Sequence, residues 1–102
     1  MSQSSEPATS QSSEPVTSQS CEVAVVLPAH LHARPAGALV RAAVGFRSTV
    51  EICYDGRTVN ARGVLAVMSL GATAGTTVVI RATGEDAPSA AAAVADVLRT
   101  AE

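Results

Sequence analysis

From Glu22 to Leu27 apolar and polar residues alternate, which sets Val23, Val25 and Leu27 on one face of a strand that Pro28 ends. The period then changes. Ala36, Leu39, Val40, Ala43 and Val44 recur at the spacing of one buried helical stripe, while Arg34 and Arg41, seven residues apart, share a different, exposed face. Alternation returns at Val50, Ile52 and Tyr54, with Glu51 and Cys53 turned outward. Asp55-Gly56 is the two-residue signal of a type I′ hairpin, and Arg57 to Asn60 form the returning strand. Gly63 to Leu70 reads as a short, nearly all-apolar helix stopped by Gly71. So short a helix cannot bury every side of itself. Some of Val64, Leu65 and Met68 should face solvent as an exposed apolar cluster of the kind that marks a docking surface, the alternative being that all of them pack inward. Thr76 to Thr83 is the last strand, with Val78, Ile80 and Ala82 on one face. After Gly84, Asp86 is placed to cap a final helix whose inward stripe is Ala90, Val94, Val97 and Leu98.

The element order is strand, helix, strand, strand, short helix, strand, helix. An antiparallel sheet with helices on one face is the economical packing for it, an α+β architecture.

Ahead of these elements the chain has another character. Ser-Gln-Ser-Ser-Glu-Pro-Ala-Thr at residues 2–9 recurs at 10–17 with Val16 in place of Ala8, and a third copy starts at Ser18. Such a polar, proline-punctuated tract cannot bury enough apolar surface to order itself. Residues 1–20 are therefore expected to be a disordered repeat tail, and residues 21–102 one small domain. Cys21 stands where both earlier copies have serine, so no dedicated thiol chemistry is expected of it. With Cys53 it has neither metal-ligand spacing nor the numbers for a disulfide framework.

All seven basic residues are arginine, against nine acids. Glu6 and Glu14 lie in the tail, which leaves the domain balanced and without a general pull on nucleic acid or anionic membrane. Any positive patch must be local. No apolar run approaches the roughly 20 residues of a membrane span, and the N-terminus has no signal-type basic and apolar regions, so a cytoplasmic location is expected.

The chemistry concentrates at Leu31-His32-Ala33-Arg34-Pro35-Ala36. Proline is tolerated in a helix's first turn, so Pro35 puts the helix start at about His32 to Arg34. The unpaired N–H groups and positive dipole end there form an anion site, and a phosphate carried on His32 would sit in it. The same positive end disfavours a second positive charge, which leaves the neutral ring a nitrogen free to act as a nucleophile. Arg34 adds a planar donor fork suited to phosphate oxygens, and Arg41 a second cation on the same face. Taken alone, the six residues also fit a plain helix cap.

With this order and these motifs, the chain resembles the histidine-containing phosphocarrier protein HPr of the bacterial phosphoenolpyruvate sugar phosphotransferase system. The resemblance covers about residues 22–102. It rests on Leu31 to Ala36, on Val67-Met68-Ser69-Leu70-Gly71, and on Asp55-Gly56 with Thr58-Val59-Asn60. It implies an open-faced β-sandwich of four antiparallel strands under three helices, without a cofactor or metal. His32 would accept a phosphoryl group on Nδ1 from enzyme I and lose it to an enzyme IIA, with Arg34 as charge partner. Arg41, Val64, Leu65 and Met68 would dock both partners, and the carrier would act as a monomer rather than as an enzyme in its own right.

Two positions depart from the family pattern. His30 stands where glycine is usual, bringing a second imidazole near the site that either is a bystander or tunes it. Gly63 stands where many Gram-positive relatives carry a serine phosphorylated by an ATP-dependent kinase, so that control should be absent. A paralogue serving a nitrogen-regulatory or dihydroxyacetone relay would show the same site. A regulatory module without transfer would have lost the histidine and kept the serine, the reverse of this chain. A metal pair at His30 and His32 lacks a nearby third ligand and would be opposed by Arg34.

Overall fold

A computed structural model of the chain describes residues 19–101. The repeat tail expected over residues 1–20 lies outside the described residues up to position 18. In chain order the elements are β1 (Gln19–Val26), α1 (Ala33–Val44), β2 (Thr49–Tyr54), β3 (Arg57–Asn60), α2 (Val64–Met68), β4 (Thr77–Gly84) and α3 (Ala87–Arg99). The strands form one sheet in the order β1-β4-β2-β3, every neighbouring pair antiparallel.

β1 begins earlier than its alternation suggested. β4 runs as far as Gly84, so Gln19 and Ser20 find ladder partners in Gly84 and Thr83, and the pairing carries the sheet two residues into the segment expected to belong to the tail. Cys21 falls within this extended strand. It shares the inward face with Val23 and Val25 and packs partly against the core.

That core fills the space between sheet and helices. Val25, Val50, Ile52, Val78, Ile80 and Ala82 face inward from the strands and meet Leu39, Val67, Val94 and Leu98 of the helices, all buried. α3 lies across β1 and β4, α1 packs on α3, and α2 packs on α1 and β3. All three helices therefore cover one face of the sheet. On the other, Arg81 spans cross-strand neighbours, its Nε 2.9 Å from Glu22 and its Nη1 3.7 Å from Glu51. No described helix is long and apolar enough to cross a membrane.

One side chain leaves the stripe assigned to it. Val44 is 51% exposed, because it is the last residue of α1 and lies at the edge of the stripe as the chain turns off at Gly45. Val97 of α3, like Val40 of α1, is partly buried and packs against the core from the edge of its stripe. The hairpin forms as expected, with Asp55 at φ 51° and Gly56 at φ 77°, both in the left-handed region a type I′ turn requires.

Asp86 stands at the N-cap of α3 but does not cap it. Its carboxylate instead accepts the N–H groups of Arg47 (3.0 Å) and Ser48 (2.8 Å) and the Ser48 hydroxyl. Those hydrogen bonds, the hydroxyl's foremost, hold its pKa down at about 2. The start of α3 is thereby tied to the turn that follows α1, which fixes the two helices against each other.

Candidate functional site

α1 opens where the sequence placed it. His32 is its N-cap, in extended backbone at φ −96° and ψ −163°, and its carbonyl accepts the first helical bond, from the Ala36 N–H at 3.0 Å. The N–H groups of Ala33 and Arg34 follow with no backbone acceptor among the described residues, and Pro35 has no N–H to offer. Two free donors therefore sit at the positive end of the helix.

The His32 side chain makes no capping bond and no other hydrogen bond among the described residues, and it is exposed. A histidine kept only as a cap would spend its ring on the helix. This ring has both nitrogens available. It borders a shallow cleft of about 260 Å³ together with His30, Leu31, Met68, Gly71, Ala72 and Thr73.

The loop carrying His32 is zipped to the loop that follows α2. Leu27 exchanges backbone bonds with Thr76 and Gly75 at 2.9 and 2.8 Å, and the Leu31 N–H donates to the Ala72 carbonyl at 3.0 Å. Between them, Nδ1 of His30 accepts the Ala74 N–H at 3.0 Å. The His30 carbonyl in turn receives the His32 N–H at 2.9 Å.

Arg34 lies on another side of the helix start, lining a second cleft of about 400 Å³ with Pro35, Ala38, Val97, Thr100 and Ala101. Arg41 folds back along α1, its Nη1 lying 3.5 Å from where a Cβ on Gly37 would be. Neither guanidinium has a hydrogen-bond or ion-pair partner among the described residues. The remaining arginines are all engaged. Arg47 pairs with Glu85, Arg99 with Asp96, Arg81 with Glu22 and Glu51, and Arg62 donates to the Phe46 carbonyl. Arg57 donates through Nη2 to the carbonyls of Ser69 and Leu70, both at 2.7 Å.

That last pair of bonds satisfies the orphan carbonyls just beyond α2 and pins the helix to the hairpin, a role that nothing in the local sequence around Arg57 announces. The apolar residues of α2 divide as its length requires. Val67 is wholly buried, Leu65 is 80% exposed, Val64 is at the surface, and Met68 is half-buried at the edge of the His32 cleft. Of the expected docking residues, then, Met68 adjoins His32, Val64 and Leu65 stand out on the same helix, and Arg41 extends the exposed face of α1, against which α2 packs. Gly63 is the N-cap of α2 and leaves that position without a side-chain capping bond.

Comparisons with known proteins agree with this fold. The model of the PTS HPr component phosphorylation site matches residues 19–100. The crystal structure of phosphocarrier protein HPr from Bacillus anthracis str. Ames is 33% identical, covers 78% of this chain and 96% of its own, and superimposes with a TM-score of 0.73. Bacillus subtilis Crh, a catabolite repression HPr, matches in two forms. Its solution structure is 36% identical, covering 82% of this chain and 100% of its own at a TM-score of 0.68. Its crystal structure, a dimer with a swapped domain, is 39% identical, covering 72% and 85% at a TM-score of 0.64. From a family match over nearly all the described residues and a shared four-strand, three-helix fold, the chain belongs to the HPr family of phosphocarrier proteins.

Proposed function

We propose that this chain carries a phosphoryl group on Nδ1 of His32, taken from phospho-enzyme I and handed to an enzyme IIA in phosphoenolpyruvate-dependent sugar uptake in the cytoplasm. The single observation that carries this reading is the unspent ring of His32 at the N-cap of α1, beside two free backbone N–H groups and on the one helix whose arginines have no protein partner among the described residues.

Transfer is an in-line displacement. The Nδ1 lone pair of His32 forms a new N–P bond while the donor histidine's N–P bond breaks and that ring leaves with its electron pair. The carrier contributes position and charge. The N–H groups of Ala33 and Arg34 lie at the helix start beside His32, and the Arg34 guanidinium, which lines the neighbouring cleft and has no partner among the described residues, has to swing round the helix start to reach the phosphoryl oxygens. The return transfer uses the same groups, so docking at Arg41, Val64, Leu65 and Met68 has to be transient. A monomer suffices, because His32, Arg34 and the α2 surface all belong to one copy. Gly63 supplies no hydroxyl for a kinase, so regulation through that position is absent.

The test is incubation with phosphoenolpyruvate and a bacterial enzyme I, followed by mass and acid lability. One acid-labile phosphoryl group, absent in His32→Ala and formed more slowly in Arg34→Ala without loss of folding, is expected. An adduct that survives His32→Ala, or no adduct with several enzyme I proteins, overturns the assignment.

A further inference from the structure

Resting on the phosphocarrier reading, we propose that His30 is a positioning residue for His32, acting through the bond that its Nδ1 accepts from the Ala74 N–H.

Three features of the structure carry this. The bond is the side-chain member of the zipper between the acceptor loop and the loop after α2, the others being the backbone bonds of Leu27 and Leu31. It joins segments 44 residues apart in sequence. And the residue it restrains is the one whose carbonyl holds the His32 N–H at 2.9 Å. Rotation of the His30 peptide would release His32, and with it the orientation of the N-cap. A nitrogen that accepts an N–H bears no proton, so the latch selects one tautomer and leaves the ring's hydrogen on Nε2. Both imidazoles border the same cleft.

Without this side chain the loop is held by backbone bonds alone, those of Leu27 with Thr76 and Gly75 at its start and that of Leu31 with Ala72 at its end. The Leu31 to Ala72 bond anchors it on one side, but residues 28–30 would otherwise cross the surface with no side-chain bond to the loop opposite. A glycine at position 30 loses the acceptor and gains backbone freedom.

Three variants separate the parts. His30→Gly removes latch and ring, His30→Asn keeps an acceptor oxygen at the place of Nδ1, and His30→Gln carries its polar atoms one carbon too far for that bond. Rates of phosphoryl transfer from enzyme I to His32, resolved into kcat and KM, are compared with hydrogen exchange at the Ala74 amide and with the nitrogen shifts of the two imidazoles. In the wild type Nδ1 of His30 is expected to show the shift of an unprotonated acceptor. His30→Gly should lower kcat about tenfold, less than the 100-fold that roughly 1 Å of misplacement can cost, because Leu31 still holds the loop. KM and the melting temperature should stay close to wild type. His30→Asn should restore both the rate and the protection of Ala74, and His30→Gln neither. Equal rates in all variants, or Asn as slow as Gly with Ala74 protected, overturn the positioning role while leaving the carrier intact. Absence of any adduct in the wild type would instead fail the phosphocarrier reading itself, and the proposal with it.

Discussion

Leu65 separates docking from folding more sharply than any other residue of the site. It lies on α2 with 80% of its surface exposed, one turn from the cleft that His32 lines, while Val67 on the same helix is fully buried. Burying a leucine side chain is worth about 1.5–3 kcal/mol, and four-fifths of Leu65 is still open to a partner. Alanine retains the Cβ, so truncation should cost between about 1 and 2 kcal/mol of association, a five- to thirtyfold rise in Kd. Folding should scarcely notice, since exposed substitutions usually stay within about 0.5 kcal/mol and alanine is the better helix former. Val67→Ala should do the opposite. Two buried methyl groups and the void they leave amount to about 2 kcal/mol of stability, with contact to the partner unchanged in the fraction that is folded. Titration calorimetry against enzyme I, paired with urea unfolding of both variants, measures each arm. Affinity unchanged in Leu65→Ala would refute the docking surface, and a loss of stability above about 1 kcal/mol would show that the side chain is structural instead.

Three further outcomes follow from particular contacts. Gly84→Ala should destabilise the domain by about 3 kcal/mol in urea unfolding, because a Cβ there would lie 2.8 Å from the Ser48 hydroxyl and 2.9 Å from its Cα, at φ +142°; a loss under about 1 kcal/mol would mean that Ser48 can retreat. Asp86 has a folded pKa of about 2 against an ordinary 3.8, so its contribution is fully present above about pH 4 and is lost as pH falls through the two values. Ser48→Ala removes the largest cause of that shift and should flatten the decline of stability between these limits, which acid titration of the unfolding midpoint checks; an unchanged slope would assign the decline to other carboxylates. Gly63→Ser should fold and gain a few tenths of a kcal/mol, since φ is −109°, a Cβ meets only Ala66 at 3.4 Å and Asn60 at 3.9 Å, and α2 lacks a side-chain cap. A loss of stability would show that Ala66 cannot give way.

Much of the fold was written in local pattern. Val50, Ile52 and Tyr54 alternate, Ala36, Leu39 and Ala43 recur with helical period, and Asp55-Gly56 demands a turn that few other pairs can make, so each element follows from its own residues. The helix start that carries the candidate site was legible for the same reason, His32 and Pro35 marking it without help from the rest of the chain. What escaped depends on partners distant in sequence. The extent of β1 is set by the length of β4, some 60 residues on. Asp86 has the sequence signature of a cap, yet Ser48 and Arg47 outbid the helix for its carboxylate because three donors converge there and the cap offers fewer. Arg57 and His30 act across 12 to 44 residues, on carbonyls and an amide that no sequence period reports.

The proposed carrier role also asks how a domain without net charge would hold an anion at one place. A balanced chain offers no long-range field, and at physiological ionic strength exposed charges are screened beyond about 8 Å. What remains is local and is decided by which charges are left over. Four arginines close on carboxylates or backbone carbonyls along the sheet, the hairpin and the helix ends, and Arg99 closes on Asp96 within α3. Arg34 and Arg41 are not matched in this way, and both project from α1, the helix whose free N–H groups begin beside His32. Moving a single carboxylate into reach of either would quench the site without altering the net charge of a compensated variant. The distribution of partners, more than the composition, is what would make the N-terminus of α1 a resting place for the proposed phosphoryl group.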